Sequence, residues 1–491
     1  MLNAGGGPMK DINLTLLTDF YELTMANGYM NSGMADKTAY FDVFFRNIPD
    51  KGGYAIMGGL DHIIDYLENL KFTDEDIEYL RSKKIFSEEF LDYLADFKFE
   101  CDVWSVPEGT PIFPKEPVIT VRGPIIQAQF VETAILMMFN HESLIATKAS
   151  RIVRAAQGRA VMEFGSRRSH GAAAAMYGAR AAYIGGCIGT ACAIVDRETG
   201  IPALGTMAHS WVQLFPTEYE AFKAYAENYP QNCTLLVDTY DVLKSGVPNA
   251  IKIFREMKPE KMGIRIDSGD IAYLTKQARK MLDNAGFPQA TITASNALDE
   301  YLIRDIILEG AKIDSFGVGE RLITAKSDPV FGGVYKLSAI EDENGITPKI
   351  KISENVGKIT NPGVKSVYRI YANDSGKAQG DLITLKDEGV PQGKVNSEGV
   401  EEIEIFDEES PWKTKVITDY TIRDIRVQIF DGGKLVYDRP SVKEVQQYCM
   451  DQLETIWEET LRFENPQTYY VDLSQKLYDL KRGMLEEHRK K

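Results

Sequence analysis

Short apolar runs alternate with longer amphipathic stretches between Ala160 and Leu322. Each apolar run is followed by Gly, Ser, Thr, Asp or Asn and then by a stretch of helical periodicity. This order is typical of βα units, in which a buried strand leads through a short loop into a helix. A helix is predicted over 171–182, where alanine is frequent. The predicted strands cover residues 160–164, 202–204, 234–237, 263–266, 291–294 and 313–316.

The composition of these strands favours a parallel sheet. Because they are apolar on both faces, they suit a sheet covered by helices, and their number favours an irregular α/β (TIM-like) barrel. A dinucleotide-binding fold is the weaker alternative, since no Gly-x-Gly-x-x-Gly opens a unit with an acidic residue at the right distance. In a barrel the catalytic groups lie at the C-terminal ends of the strands. The residues predicted there are Arg167, Asp238, Asp267 and Asn296.

The rest of the chain predicts two further domains. Residues 10–125 combine β-rich runs with amphipathic helices and predict an N-terminal α+β sandwich-type domain. The barrel is assigned to residues 126–337. Residues 338–491 predict a C-terminal module, part of which could pack on the N-terminal domain. The glycine-rich residues 4–8 are excluded, so that the fold is expected to begin near Asp11.

Charge and composition narrow the class of protein. The 491 residues are 44% hydrophobic and 26% charged, with a formal net charge of -16. This acidity argues against nucleic acid as a partner, because phosphate-backbone binders carry a basic face. No apolar run reaches the roughly 18 to 20 residues needed to cross a bilayer, so we expect a cytoplasmic protein without a membrane partner. The five widely spread cysteines argue against a disulfide framework or a zinc site.

Two arginines follow the first predicted strand. Arg167 and Arg168 stand between a strand and a helix, where guanidinium and backbone N–H groups can converge on a phosphate or carboxylate. Surface ion pairing is the alternative explanation. His170 is predicted in the first turn of the next helix and is assigned a structural role.

The densest polar cluster surrounds the strand over 263–266. Arg265, Asp267, Ser268 and Asp270 place one cation, two carboxylates and a hydroxyl within six residues. Carboxylates of this kind can hold ribose hydroxyls or water ligands of Mg²⁺. Capping of the following helix by Ser or Asp is the alternative interpretation.

Three further positions carry candidate chemistry. Asp238 follows another strand and leaves the same two interpretations open. Gly317, Val318 and Gly319 follow the last predicted strand, where glycines permit close approach to an anion or simply form a turn. His209 is predicted in a turn. It has no partner at metal-ligand spacing, which leaves nucleophilic, acid–base or structural roles.

Several ordered motifs resemble the nicotinate phosphoribosyltransferase family. The resemblance covers most of the chain and rests on residues 17–24 (LTDFYELT), 163–168 (EFGSRR), 205–210 (GTMAHS), 238–240 (DTY), 265–270 (RIDSGD) and 332–337 (GGVYKL). It implies formation of nicotinate mononucleotide and pyrophosphate from nicotinate and phosphoribosyl pyrophosphate, coupled to ATP hydrolysis, in NAD salvage. Whether such a pentosyl transfer is classed as a ligase or a glycosyltransferase reaction stays open.

The resemblance also implies roles for individual residues. His209 corresponds to the histidine that the family phosphorylates from ATP, and Asp238 and Asp267 are the other implied catalytic residues. Mg²⁺ is the implied cofactor, with no protein ligands assigned, and ATP is a co-substrate. The implied assembly is a homodimer with the active site at its interface, which Tyr21 enters from the neighbouring subunit. The implied substrate-binding residues are Tyr21, Thr206, Arg265, Arg167, Gly317, Gly319 and Asn296.

The chain departs from the family pattern at two places. Ser169-His170 varies among relatives and is assigned no catalytic role, and Glu320 is the second departure. Some relatives carry a small hydroxyl residue at the position of Glu320, and a carboxylate there favours backbone contacts with phosphate. Two other functions remain open, namely nicotinamide phosphoribosyltransferase, which has a related barrel, and a non-catalytic nucleotide-binding barrel. Substrate preference separates the first from the family, and detectable turnover excludes the second.

Overall fold

A computed structural model describes residues 13–489, apart from the side chain of Val356. The chain divides into two compact units. One consists of the residues up to 144 together with those from 330 onward, and the other spans residues 145–329. The glycine-rich segment 4–8 and the predicted start near Asp11 lie outside the described residues.

Helices of very different length occur in both units. Within residues 13–489 the α-helices are α1 Phe20–Asn31, α2 Leu60–Glu68, α3 Asp74–Ser82, α4 Glu88–Ala95, α5 Ile125–Phe130, α6 Glu132–Ala155, α7 Ala172–Ile184, α8 Ala193–Thr199, α9 His209–Leu214, α10 Glu218–Asn228, α11 Val247–Met257, α12 Ile271–Asn284, α13 Glu300–Leu308, α14 Glu320–Ile323, α15 Val442–Glu454 and α16 Gln475–Arg489. None of these helices is long and apolar enough to cross a membrane.

Strands are frequent outside the central part of the chain. Over the same residues they are β1 Thr38–Phe44, β2 Ala55–Ile56, β3 Asp102–Ser105, β4 Pro111–Ile112, β5 Ile119–Pro124, β6 Ala160–Glu163, β7 Cys233–Leu236, β8 Met262–Ile266, β9 Thr291–Asn296, β10 Ser315–Val318, β11 Val334–Asp342, β12 Gly345–Pro348, β13 Lys365–Ala372, β14 Ala378–Leu385, β15 Lys394–Val395, β16 Glu401–Phe406, β17 Thr414–Thr418, β18 Tyr420–Asp424, β19 Val427–Asp431, β20 Lys434–Leu435 and β21 Val471–Leu473.

The unit over 145–329 contains a parallel sheet with the strand order β6-β10-β9-β8-β7. Two isolated parallel bridges, from Glu163 to Thr190 and from Thr190 to Ala203, extend the sheet beyond β6. Helices follow the strands in the βα order that the sequence predicts. Because the pairing is parallel, the C-terminal ends of the strands meet at one edge. In the described pairing, Ala203 and β7 are the two free margins of an open arc.

The predicted strands of this unit are confirmed with two corrections. The last one runs from Ser315 to Val318, two residues later than predicted, so that Gly317 lies inside a strand. The segment 202–204 forms only the single bridge at Ala203. Periodicity alone did not separate these cases, since a short apolar run does not show which of its residues make ladder hydrogen bonds. The predicted helix over 171–182 is present as α7.

The other unit is built on an antiparallel sheet of seven strands. Its order is β12-β11-β1-β5-β3-β19-β20, which places strands from both ends of the chain side by side. β1 pairs with β5 on one side and with β11 on the other. The predicted boundary between residues 337 and 338 therefore falls within strand β11, and the three-domain division stays a prediction. Smaller sheets, β18-β13-β14-β21, β15-β16-β17 and β2-β4, belong to the same unit.

Candidate active site

The candidate residues of the unit over 145–329 collect at the C-terminal edge of its sheet. Asp267 follows β8 directly, and Asn296 is the last residue of β9. Asp238 lies two residues beyond β7, and Arg167 lies in a short 3-10 helix after β6. The prediction that these four residues stand at strand ends is confirmed, because parallel strands bring those ends together.

Arg265 is the centre of the hydrogen-bond network at this edge. Its side chain is only 12% exposed. The Nε group donates to Ser295 Oγ at 2.7 Å, and Nη2 donates to Asp267 Oδ1 at 2.9 Å. Nη1 donates to Thr206 Oγ1 at 3.2 Å and to the Met207 carbonyl oxygen at 3.4 Å. The guanidinium plane is thereby fixed by four acceptors on three segments of the chain.

Asp238 and Asp267 are connected through the backbone of the loop after β8. Asp238 Oδ2 accepts from the Asp267 N–H at 3.0 Å and from Ser268 Oγ at 2.5 Å. Gly269 has φ +81°, a left-handed conformation that glycine adopts without strain. Asp270 accepts from Tyr273 N at 2.9 Å and caps α12, so the capping interpretation holds for this carboxylate.

His209 begins a helix, which corrects the predicted turn. It is the first residue of α9, and Ala208 before it is extended. Its Nδ1 lies 3.1 Å from Thr239 Oγ1, within hydrogen-bonding distance. Its Nε2 lies 3.8 Å from Asp267 Oδ2, which is beyond a hydrogen bond. The side chain is 41% exposed, so solvent reaches the ring.

The loop after β6 carries three basic or titratable side chains. Arg167, Arg168 and His170 are all exposed. His170 precedes the N-cap of α7, so its predicted place in the first helical turn is wrong by two residues. Arg168 Nε lies 3.9 Å from Glu320 Oε2. Among the described side-chain contacts of the two arginines, this exposed and weak ion pair of Arg168 is the one recorded, and Arg167 is presented to solvent.

Glu320 is surrounded by cations. Its Oε1 accepts from Lys326 Nζ at 2.6 Å. The hydrogen bond from Lys326, with added attraction from Arg168 and Arg321, lowers the pKa of the Glu320 carboxyl. Glu320 is the first residue of α14 and Gly319 is the N-cap of that helix. The carboxylate therefore places a stable negative charge beside Gly319.

Gly317 lies within strand β10 and not in a turn, and close packing explains why this position has no side chain. A Cβ atom at this position would lie 2.5 Å from the ring of Phe164, so a side chain here would displace the ring. Phe164 lies in turn against Arg265, whose Cζ is 5.6 Å from the ring centroid. Phe164 was not predicted as a site residue from the sequence. Its place between a strand end and the Arg167 loop was the available signal.

Asn296 is held in an unusual backbone conformation. Its φ of 134° is rarely adopted by residues with a side chain. The side-chain oxygen Oδ1 accepts from the next backbone N–H, that of Ala297, at 2.7 Å. Strained residues of this kind are frequent at functional sites, and this one stands at the predicted edge of the sheet.

Tyr21 belongs to the other unit, where it lies in the first turn of α1. Its side chain remains 45% exposed. Partial burial, together with the nearby carboxylates of Glu132, Glu22 and Asp19, raises the pKa of the Tyr21 hydroxyl to about 12. The phenol is therefore neutral at physiological pH and able to donate a hydrogen bond.

The fit of a Mg²⁺ ion can be tested on the two carboxylates at the sheet edge. Among residues 13–489, no group of three or more His, Cys, Asp or Glu side chains is arranged to hold a metal. Mg²⁺ is usually held by one or two carboxylates together with substrate phosphates and water. Asp238 Oδ1 is buried without a hydrogen-bond partner among the residues described. Asp238 with Asp267 therefore fits a hydrated Mg²⁺ that a phosphorylated substrate helps to hold.

Most of the chain is similar to one known protein family. Family models match the chain in three parts, described as the nicotinate phosphoribosyltransferase N-terminal domain over 16–140, the family itself over 159–367 and the C-terminal domain over 364–481.

Individual relatives match over nearly the full chain. Nicotinate phosphoribosyltransferase of Bacillus subtilis is 43% identical over 480 residues, which are 97% of this chain and 96% of that protein. The protein of the same name from Caenorhabditis elegans is 32% identical and covers 94% of this chain and 92% of its own length. The crystal structure of human nicotinic acid phosphoribosyltransferase superposes with a TM-score of 0.83 at 26% identity, covering 96% of this chain and all of that one. The chain belongs to the nicotinate phosphoribosyltransferase family.

Proposed function

We propose that this chain transfers the phosphoribosyl group of phosphoribosyl pyrophosphate to nicotinate, forming nicotinate mononucleotide and pyrophosphate, with ATP hydrolysis coupled through phosphorylation of His209. The observation that carries the proposal is the pairing of Arg265 with Thr206 at the edge of the parallel sheet. The relatives named above carry the same activity in their names.

The number of free hydrogen-bond donors at Arg265 supports recognition of a carboxylate. A guanidinium has five N–H donors, and four acceptors already engage this one. One donor, on Nη2, remains. Because Thr206 Oγ1 accepts from Arg265, its own proton is available to a ligand. Two donors thus face the ligand, which suits the two acceptor oxygens of nicotinate better than the amide of nicotinamide, whose NH₂ group is itself a donor.

Phe164 supplies an aromatic surface beside these donors. Its ring is fixed against Gly317 and lies 5.6 Å from the Arg265 guanidinium carbon. A planar pyridine ring can stack on such a surface while its carboxylate reaches Arg265 and Thr206. This arrangement would orient the pyridine nitrogen as the nucleophile.

The neighbouring strand ends are proposed to bind phosphoribosyl pyrophosphate. The exposed Arg167 and the backbone at Gly319 are suited to phosphate oxygens, and the carboxylates of Asp238 and Asp267 to the ribose. As pyrophosphate leaves, positive charge develops on the ribose, and preorganised carboxylates stabilise it. When bound, Mg²⁺ would neutralise charge on the departing pyrophosphate, with Asp238 and Asp267 as its protein ligands.

His209 is suited to accept a phosphoryl group from ATP. The ring is partly exposed, and Thr239 holds its Nδ1 side. Phosphorylation would add negative charge close to Asp267, which changes the electrostatics at the site of the departing pyrophosphate. This is the proposed link between ATP hydrolysis and phosphoribosyl transfer.

The sheet of this unit is further proposed to be an irregular α/β (TIM-like) barrel. Ala203 lies at one margin of the arc, yet Thr206, three residues later, contacts Arg265 of β8 near the other margin. The chain therefore bridges the two margins at the C-terminal edge. A homodimer, with Tyr21 reaching the active site of the neighbouring subunit, completes the proposal.

The deciding experiment measures mononucleotide formation by the purified protein with phosphoribosyl pyrophosphate and Mg²⁺. Nicotinate and nicotinamide are compared, each with and without ATP. ATP-stimulated turnover of nicotinate, with little of nicotinamide, is expected. Preference for nicotinamide would overturn the substrate assignment, and no turnover with either substrate would overturn catalysis.

A further inference from the structure

Ser295 is buried between the two charged groups at the end of β8. It lies on β9 and is only 2% exposed. Its Oγ accepts from Arg265 Nε at 2.7 Å and donates to Asp267 Oδ1. Both roles of one hydroxyl are thus filled, and each partner is charged.

We infer that Ser295 is a positioning residue, which fixes Arg265 and Asp267 relative to each other so that the free Nη2 donor and Asp267 Oδ2 face the reactants. The inference rests on the proposed function, because it assigns Arg265 to nicotinate. Ser295 itself is assigned no contact with a substrate.

The geometry explains why a hydroxyl is needed at this position. Arg265 Nη2 and the Ser295 hydroxyl both bind Oδ1 of Asp267, which leaves Oδ2 as the oxygen nearer to His209. Without Ser295, the buried Nε donor would lose its acceptor, and the carboxylate could rotate about its bond to Cβ. The guanidinium would then satisfy Nε by turning, which would move the Nη2 donor away from the ligand.

The same strand offers a matched control. Thr293 lies two residues earlier on β9, is 5% exposed, and forms a hydroxyl pair with Ser315 at 2.8 Å. Thr293→Val removes a buried hydroxyl from the same face of the same strand. Thr293 is the register partner of Arg265 on the neighbouring strand, but its hydroxyl bonds to Ser315 and not to the guanidinium. Both variants remove a buried hydroxyl from the interior of the sheet. Ser295→Ala takes a hydrogen-bond partner from Arg265 and Asp267, whereas Thr293→Val takes one from Ser315.

The experiment measures KM for nicotinate, KM for phosphoribosyl pyrophosphate and kcat in the full-length enzyme. In Ser295→Ala the KM for nicotinate is expected to rise about tenfold, the equivalent of one lost charge-assisted hydrogen bond. The KM for phosphoribosyl pyrophosphate should rise less, because Asp267 loses one restraint while Asp238 keeps its hydrogen bonds from the Asp267 N–H and Ser268. Ser295→Thr, which restores the hydroxyl, should recover most of the loss. Ser295→Cys carries the same test if the alanine variant does not fold, since a thiol is a weaker donor and acceptor.

Two outcomes would overturn the inference. One is a KM for nicotinate in Ser295→Ala within about twofold of the wild type, since a merely destabilised enzyme loses active molecules without changing KM. The other is an equal rise in Thr293→Val. Both leave the proposed function intact, because that function fails only if the wild-type enzyme does not turn over nicotinate.

Discussion

His209 Nε2 lies 3.8 Å from Asp267 Oδ2, while the other oxygen of the same carboxylate is held by Arg265 Nη2. One aspartate thus stands between the histidine proposed to carry phosphate and the arginine proposed to bind nicotinate. A change of charge at His209 therefore acts on the proposed nicotinate site through the carboxylate of Asp267.

His209→Ala is expected to abolish the stimulation of turnover by ATP, because the phosphoryl acceptor is lost. Turnover without ATP should continue, since Arg265 and Asp267 remain in place. Initial rates with and without ATP give the result, with His170→Ala, an exposed histidine before α7, as the control. Wild-type stimulation in His209→Ala would disprove the phosphohistidine mechanism.

Thr206→Val is expected to weaken discrimination between nicotinate and nicotinamide. The substitution keeps the shape of the side chain but removes the hydroxyl that accepts from Arg265 at 3.2 Å. The KM for nicotinate should rise about tenfold, as for one charge-assisted hydrogen bond, and that for nicotinamide should rise less. Thr291→Val, at the opposite end of β9, is the control. An equal effect on both substrates would contradict the role of Thr206.

Mixed dimers test whether Tyr21 acts in the neighbouring subunit. In assays with ATP, Tyr21→Ala and His209→Ala dimers should each be impaired, since the first lacks the tyrosine and the second lacks the stimulation by ATP. A mixed dimer should recover up to about half of the activity, since one of its two sites then contains both wild-type residues. Co-expression with two affinity tags isolates the mixed species for assay. If mixed dimers recover no activity, Tyr21 acts within its own subunit or not at the site.

Glu320→Gln is expected to strengthen binding of phosphoribosyl pyrophosphate. The substitution removes a carboxylate that pairs with Lys326 at 2.6 Å and attracts Arg168, which frees cations for substrate phosphate. Because these groups are exposed, the KM should fall only about two- to fivefold, and less at high salt. Glu309→Gln, an exposed site at the end of α13, removes the same charge elsewhere. A rise in KM would show that Glu320 supports phosphate binding.

Burial of Glu22 predicts a pH-dependent stability of the unit that contains α1. Desolvation raises the pKa of Glu22 from 4.5 to about 7, although Thr18 and Thr133 donate hydrogen bonds to its carboxylate. Since the folded protein binds this proton more tightly than the unfolded chain, the stabilisation is present below pH 4.5 and is lost as the pH rises through about 7. The loss is about 3 kcal/mol, because a tenfold change in proton affinity corresponds to about 1.4 kcal/mol.

Glu22→Gln should therefore reduce the fall in unfolding temperature between about pH 5 and about pH 8, which lie on either side of the folded-state pKa of about 7. Thermal unfolding at several pH values measures this difference, which does not depend on the absolute stability of the variant. Glu89→Gln, on the exposed face of α4, is the charge-matched control. An unchanged pH dependence in Glu22→Gln would show that Glu22 is ionised in the folded protein.

Local pattern was sufficient for most of the strands and for the residues at their ends. Apolar runs followed by polar residues placed Arg167, Asp238, Asp267 and Asn296 at one edge, because parallel strands share their direction. The predicted ends of a strand were wrong where hydrogen bonding rather than hydrophobicity decides which residues belong to it. Gly317 proved to be inside β10, and its lack of a side chain is explained by the ring of Phe164.

The sequence by itself determined the family, the βα order and the candidate residues, since these depend on side-chain identity and on spacing along the chain. Only the tertiary structure decided which side chains contact one another. Thr206 and Ser295 are 59 and 30 residues away from Arg265 in sequence, yet both bind its guanidinium. Such contacts depend on how strands and loops distant in the chain are brought together, and no local periodicity encodes that distance.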